Sequence, residues 1–240
     1  MNLIVDIGNT MVKMAIMDGG ELVEQVRSSD FDDRLMGELC KKFNPRGGII
    51  CSTRGDVRDI VARMEHLLPL LILDGRTPLP IKINYKTPQT LGRDRVAAAV
   101  GAQELYPGRN ILIVDFGTAI TADIVSCDDG FMGGTISPGV MSRFRSLHDY
   151  TASLPLCAPT YQELELAQST EEAIVQGVMN SVAFEIEGYI ERYMLKFDEL
   201  LVIFSGGDAI FFEKRIKNAI FANREILFVG LNRILEYNAE

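Results

Sequence analysis

One eight-residue segment constrains this chain more than any other feature, because it occurs twice. Leu3-Ile4-Val5-Asp6-Ile7-Gly8-Asn9-Thr10 returns 109 residues later as Leu112-Ile113-Val114-Asp115-Phe116-Gly117-Thr118-Ala119, with five of eight positions identical and Ile7/Phe116 a conservative sixth. The flanks match as well. Val12 to Met17 runs into an Asp18-Gly19-Gly20 turn, and Ala122 to Val125 runs into Asp128-Asp129-Gly130. Both copies read as strand, polar glycine turn, strand, tight turn, strand. A duplication follows, with its seam in the Pro/Gly-punctuated stretch Tyr106-Pro107-Gly108-Arg109-Asn110. Domains of 1–108 and 109–240 are expected, which the length of 240 residues accommodates.

Each half then alternates strands with helices. In the first, strand-like Gly48–Cys51 and Leu70–Leu73 flank a predicted helix over Gly55–Leu68, where Val57, Ile60, Val61, Met64, Leu67 and Leu68 recur at helical spacing; Asp94–Leu105 is an Ala-rich helix. In the second, a long helix is predicted over Ser169–Phe197, with a stripe of Ile174, Val178, Val182, Ile186, Ile190 and Met194 at a period of four. Leu200–Phe204 reads as a buried strand, Asp208–Phe221 as a helix, Ile226–Val229 as a short strand and Gly230–Tyr237 as a closing helix. The fold class is α/β.

Composition excludes several function classes. The net charge of −9 gives no basic surface for phosphate backbones or anionic lipid heads, so neither nucleic acid nor membrane is an expected partner. No apolar run approaches the ~18 residues of a bilayer span, and Met1 to Asp6 carries no cationic leader, so a cytoplasmic protein is expected. Cys40, Cys51, Cys127 and Cys157 have no C-x-x-C spacing and only His66 and His148 to help them hold a metal; they read as reduced thiols. H-E-x-x-H is absent and His148 has no G-x-S-x-G to serve, which removes zinc and serine hydrolase chemistry.

The repeated turn suits phosphate. In Asp-x-Gly-x-Thr a carboxylate can hold a metal or its waters, glycine lets the backbone approach, and the hydroxyl and turn N–H groups donate to phosphoryl oxygens. Either turn alone is equally an ordinary Asp/Gly turn; two in register favour the phosphate role. Ser205-Gly206-Gly207-Asp208-Ala209 follows a buried strand, so its glycines could pass flat against an adenosine, or it is a tight turn with Asp208 as helix N-cap. Tyr85 to Ala99 carries Gly92-Arg93-Asp94-Arg95 at a helix start. There Asp94 is either a first-turn carboxylate beside a solvated Arg95, or a base for a substrate hydroxyl beside an arginine forked onto a substrate carboxylate.

Duplicated domains that each offer an acidic phosphate loop resemble the acetate and sugar kinase, Hsp70 and actin superfamily. That resemblance implies two ribonuclease H-like (actin-like ATPase) domains, each a mixed sheet flanked by helices, with a nucleotide cleft between them. A closer resemblance rests on five motifs: Asp6-x-Gly8-Asn9-Thr10, Leu91-Gly92-x-Asp94-Arg95, Asp115-x-Gly117-Thr118-Ala119, Gly133-Gly134-Thr135-Ile136-Ser137-Pro138-Gly139, and Gly230-Leu231-Asn232-Arg233-Ile234-Leu235. In this order and spacing, from residue 6 to residue 235, they are similar to the type III pantothenate kinase family.

The resemblance implies ATP-dependent phosphorylation of pantothenate to 4′-phosphopantothenate, the first step of coenzyme A biosynthesis. It implies ATP contacts at Asp6, Ile7, Gly8, Asn9, Thr10, Met11, Val12 and Lys13, at Thr118, and at the Gly206-Gly207 turn. Asp94 becomes the catalytic base, and Gly92, Arg93, Asp94, Arg95, Tyr85 and Thr170 become substrate contacts. Asp6 would serve Mg²⁺ through water or phosphate, and Asp115 a monovalent cation, K⁺ or NH₄⁺. Ser169-x-x-Glu172 is also a capping box, in which Thr170 only begins a helix. Ser205 stands where the family pattern leads to a threonine. A homodimer is also implied, with Thr170 of one chain near Gly92–Arg95 of the other. Consistent with it, Ala173, Val175, Met179, Ala183, Phe184 and Tyr189 extend the apolar surface of the long helix beyond one stripe. The rivals are another small-molecule kinase of the same superfamily and a non-catalytic nucleotide-binding regulator.

Overall fold

The first copy of the repeat becomes the middle strand of a sheet. The computed structural model describes residues 1–216 and 225–239. Asn2–Ile7 (β1) pairs antiparallel with Val12–Asp18 (β2), which pairs antiparallel with Glu21–Ser28 (β3). On its other side β1 runs parallel to Gly48–Ser52 (β4), and β4 to Leu70–Ile72 (β5), giving the order β3-β2-β1-β4-β5. With neighbours on both edges and both faces covered, β1 is apolar from Leu3 to Val5 rather than alternating.

Asp33–Phe43 (α1) is capped by Asp32, whose carboxylate accepts from the Arg34 and Leu35 N–H groups, and stops at Asn44 in the left-handed conformation (φ 47°). Arg58–Met64 (α2) is the short ordered part of the helix expected over Gly55–Leu68. Leu3, Val5, Ile16, Met36, Leu39 and Ile50 form the centre of this unit's core.

Arg93–Leu105 (α3) is buried at nearly every position from Arg95 to Ala102. Its partner is the last helix of the chain, Ile226–Tyr237. The two backbones touch through glycine: a Cβ on Gly101 would stand 1.9 Å from the Ile226 carbonyl oxygen, and one on Gly230 1.8 Å from that of Ala97.

The second copy of the repeat builds a second sheet. Ile111–Phe116 (β6) pairs antiparallel with Ala119–Ser126 (β7) and parallel with Leu201–Ser205 (β9). Gly130–Pro138 (β8) completes the order β8-β7-β6-β9. Val140–Asp149 (α4) and Thr170–Met194 (α5) pack on it, and Phe116, Phe144, Val182, Ile186 and Phe204 form the core. The stripe on α5 is buried from Ile174 to Ile190; Met194, at the helix end, is 43% exposed. Ile226–Tyr237, the closing helix, is α6.

Two expectations are corrected. Ile226–Val229 is the first turn of α6, not a strand: four apolar residues carry no period, and burial on several sides at once makes a helix look like a core strand. After Ser205 the chain forms a 3₁₀ turn over Ala209–Phe211 instead of starting a long helix, and the rest of the expected span, 217–221, lies outside the described residues. The chain forms two compact units. One comprises Met1–Gly108, Cys127–Met132 and Glu225–Glu240, and the other Arg109–Ser126 and Gly133–Arg224. The glycine crossing of α3 and α6 is what draws the chain end to the first unit.

The same substitution should therefore act in opposite directions at two helical glycines. Gly230→Ala is expected to lower unfolding free energy by at least about 3 kcal/mol, because only backbone can move out of the way. Gly37→Ala, in α1 with nothing within 4 Å of its new Cβ, should raise it by about 0.5–1 kcal/mol. Urea unfolding of the two variants measures both; a Gly230→Ala protein as stable as the parent would contradict the close crossing.

Candidate active site

The first repeat loop is held from three sides. Asp6, next to last in β1, has 4% of its surface exposed, and Lys13, its partner across the β1–β2 register, places Nζ 3.4 Å from Asp6 Oδ2. The Gly8 N–H donates to the Met11 carbonyl at 3.0 Å and closes the turn, leaving Asn9, Thr10 and Met11 exposed. Arg54, after β4, donates from Nε to the Gly8 carbonyl at 2.6 Å and from Nη2 to that of Ser29 at 3.0 Å. Burial pushes the Asp6 carboxyl above the usual range; Lys13 pulls it down, and the charge of Asp94 pushes it further up. The buried Cys51 thiol, opposite Asp6 on β4, is raised well above its ordinary value by burial and then by Asp6 and Asp94. Asp6, Cys51 and Asp94 thus share one electrostatic neighbourhood.

Asp94 lies in the first turn of α3. Its Oδ1 accepts from the Arg95 N–H at 2.8 Å, and it sits so close over the helix start that a Cβ on Gly92 would meet that oxygen at 2.5 Å. Glycine at the N-cap leaves room for the carboxylate, which accounts for the Gly-x-Asp spacing. Arg95 is 7% exposed, with its guanidinium carbon 5.9 Å from the Tyr85 ring centre and 5.6 Å from that of Phe131. Arg93 donates from Nη2 to the Pro88 and Gln89 carbonyls at 3.1 and 3.0 Å, tying the loop that leads into the motif. All of these residues belong to the first unit.

The second unit holds the other loop. Asp115 ends β6 opposite Ser205 on β9, and the Gly117 N–H closes the turn on the Ala119 carbonyl at 3.1 Å. The turn after β9 rests directly on it. Gly206 has φ +90° and a Cβ there would stand 2.4 Å from the Phe116 carbonyl oxygen, while the Asp208 N–H donates to that oxygen at 3.2 Å. The Asp208 side chain makes no cap, and burial raises its carboxyl pKa. The Thr118 carbonyl accepts from Gly139 N and Ser142 Oγ at 3.1 and 2.9 Å, which fastens the loop to the start of α4. Asp115, Thr118, Gly206 and Gly207 are therefore brought together. Thr170 is exposed at the first position of α5, where Ser169 Oγ accepts from Glu172 N at 3.3 Å and performs the capping without it.

Sequence inspection missed Arg54 and Phe131. Neither lies in a repeated motif; the only signal for Arg54 was that Cys51–Arg54 occupies at the end of β4 the place that Ser205–Asp208 occupies at the end of β9. Among the described residues no group of three or more His, Cys, Asp or Glu side chains could hold a metal ion. The loop donors are hard oxygens, one carboxylate per loop, with glycine leaving space beside Asp115, whose Oδ2 is 3.2 Å from where a Gly117 Cβ would be. Such sites fit a cation that arrives with phosphate and keeps some of its waters. No described helix is long and apolar enough to cross a membrane.

The family model described as type III pantothenate kinase matches residues 2–192. A protein of that name from Phocaeicola vulgatus is 43% identical over 239 residues, covering 99% of each chain. The chain belongs to the type III pantothenate kinase family. Among solved structures it is similar in fold to a Campylobacter jejuni protein assigned to the Baf family of transcriptional activators (TM-score 0.64, 21% identity, 99% and 98% of the two chains covered). A Sinorhizobium meliloti protein assigned as a 2-dehydro-3-deoxygalactonokinase is likewise similar (TM-score 0.67, 13% identity, 99% of each covered). The fold is that of the actin-like ATPases and sugar kinases, two mixed sheets flanked by helices.

The buried Asp6 carries a pH signature. Its folded pKa lies above the ordinary 3.8, so the folded state holds the proton more tightly than the unfolded chain. The stability this provides is fully present below 3.8 and is lost as pH rises through the folded value. Ligand-free Asp6→Asn should melt no lower than the parent at pH 7, with any advantage shrinking toward pH 4. Thermal melts at the two pH values test this; an Asn variant that melts lower at pH 7 would show that the carboxylate is a net stabiliser.

Proposed function

We propose that the protein transfers the γ-phosphoryl group of ATP to the 4′-hydroxyl of pantothenate, giving 4′-phosphopantothenate and ADP as the first step of coenzyme A biosynthesis. The observation that carries this assignment is the Gly92–Arg95 turn, which places a carboxylate in the first turn of α3 beside a buried arginine. An acceptor with both a hydroxyl and a carboxylate matches that pair: Arg95, with Tyr85, takes the carboxylate end, and Asp94 takes the hydroxyl proton. As the proton passes to Asp94, the oxygen attacks the γ-phosphorus, the bond to the β–γ bridging oxygen breaks, and ADP leaves with the electron pair. In the first unit Lys13 and the N–H groups of the Gly8 turn are assigned to phosphate oxygens; in the second unit the Gly117 turn is assigned to phosphate and Gly206-Gly207 to adenosine. Mg²⁺ carried with ATP near Asp6, and K⁺ or NH₄⁺ at Asp115, would supply charge neutralisation, which with alignment is most of what phosphoryl transfer needs. We expect the enzyme to work in the cytoplasm, where ATP is available.

Asp94→Asn should bind ATP as the parent does and lose at least ~10²-fold in turnover, the usual contribution of a general base. Coupled ADP release with and without pantothenate is the assay. Parent ADP release indifferent to pantothenate would overturn the substrate, and near-parental turnover of Asp94→Asn would overturn the base.

A homodimer is part of the same proposal. On α5, Phe184 is 69% exposed and Gly177 has nothing within 4 Å of an added Cβ, an apolar, open face that a second α5 can cover. We expect a light-scattering mass of about twice the 26.7 kDa chain. Mixing Asp94→Asn with Thr170→Ala chains should recover activity if Thr170 serves the partner's pocket. A mass of one chain, or no recovery despite proven subunit exchange, would contradict it.

A further inference from the structure

Just past β4 the chain takes hold of two successive carbonyls of the first repeat loop. The Thr53 N–H and Oγ1 donate to the Ile7 carbonyl at 2.9 and 3.3 Å, and Arg54 Nε donates to the Gly8 carbonyl at 2.6 Å. The other two guanidinium nitrogens of Arg54 reach the segment that follows β3. Nη2 donates to the Ser29 carbonyl at 3.0 Å and Nη1 to Asp30 Oδ1 at 3.3 Å, while that same oxygen accepts from the Phe31 N–H at 2.8 Å. The Arg54 backbone N–H donates to Ser52 Oγ at 3.1 Å, so the arginine is fixed at its root as well as at its fork.

A carbonyl held in place fixes more than its own oxygen. The peptide unit is planar and trans, so the N–H of the next residue points opposite to the C=O. In the Ile7–Gly8 peptide the carbonyl goes to Thr53 and the N–H to the Met11 carbonyl, which closes the turn. In the Gly8–Asn9 peptide the carbonyl goes to Arg54, which turns the Asn9 N–H to the opposite side. Glycine has no Cβ to restrict its dihedrals, so this plane rotates easily unless something holds it. We infer that Arg54 is a positioning residue for the phosphate loop: its bond to the Gly8 carbonyl sets the plane of the Gly8–Asn9 peptide and presents the Asn9 N–H to a nucleotide phosphate. This rests on the phosphate role proposed for the Gly8 turn. A lysine would carry the same charge at a single point and has no fork to span the two loops.

The ligand-free protein gives a test that needs no turnover. Its Arg54 Nε proton should show a through-hydrogen-bond NMR coupling to the Gly8 carbonyl carbon, and the coupling should persist when β,γ-methylene-ATP and Mg²⁺ are added. Arg54→Met and Arg54→Lys should both shift the Asn9 amide resonance, and both should weaken calorimetric binding of that analogue about tenfold, the scale of one charge-assisted hydrogen bond. In the assay KM for ATP should rise by the same factor, with kcat and KM for pantothenate changed less than about twofold. Four results would each overturn the inference. No coupling in the parent would remove the bond itself, and coupling lost on analogue binding would make Arg54 a phosphate ligand. Affinity restored by lysine would make it a charge and not a clamp, and equal losses for the analogue and pantothenate would make it a residue of general stability. Failure of the parent to release ADP with pantothenate would instead overturn the kinase assignment, and the NMR and calorimetry would then decide the role of Arg54 alone.

Discussion

Holding Asp6 ionised at the end of a strand with a neighbour on each side works against the fold, and much of the first unit is arranged around that carboxylate. A buried charge is tolerated only when partners replace the lost water. Here the replacement is partial: Lys13 sits across the hairpin at 3.4 Å, and Asp94 adds a second negative charge nearby. The deficit is of the kind a cation and a polyphosphate can fill. A site that is electrostatically unsatisfied when empty and balanced when loaded gains differential binding from its own strain.

The loop around that carboxylate is tied down by hydrogen bonds to its backbone. Arg54 holds the Gly8 carbonyl, much as the Asp208 N–H holds that of Phe116 in the other repeat. The two halves solve the same mechanical problem with different residues. Thr53-Arg54 follows β4 and grips with a side chain, while Gly-Gly-Asp follows β9 and lies close against the loop with bare backbone. The second solution lays glycine backbone directly on the loop; the first leaves the turn after Gly8 exposed beside Lys13. Duplication supplied the frame, and divergence after the second parallel strand divided the work.

Much of this was legible in the residues, and the gaps have physical reasons. The strands, the seam region, α3 and the buried stripe of α5 follow from local periodicity and turn chemistry, which depend on neighbours in sequence. The Gly-x-Asp-Arg and Asp-x-Gly motifs were visible because their geometry is built within a single turn. Ile226–Val229 was misread because a short apolar run has no period and its state is decided by Gly230 against Ala97, contacts more than a hundred residues apart. The same cause removed α6 from the second unit. Phe131 and Arg54 were invisible because each is placed by a long-range partner: the Lys82 and Asn84 backbone in one case and the Gly8 carbonyl in the other. Arg93, within the motif, donates from Nη2 to the carbonyls of Pro88 and Gln89.

The central claim is that this chain moves one phosphoryl group onto the primary hydroxyl of an acceptor that also bears a carboxylate. ³¹P NMR of the protein with ATP, Mg²⁺, K⁺ and pantothenate tests it most directly, because it identifies the bond that forms. A single new phosphomonoester resonance, coupled to the methylene protons of the former hydroxyl and growing in step with ADP, is the result the account predicts. Inorganic phosphate appearing in place of that ester, or ATP left unchanged, would contradict it.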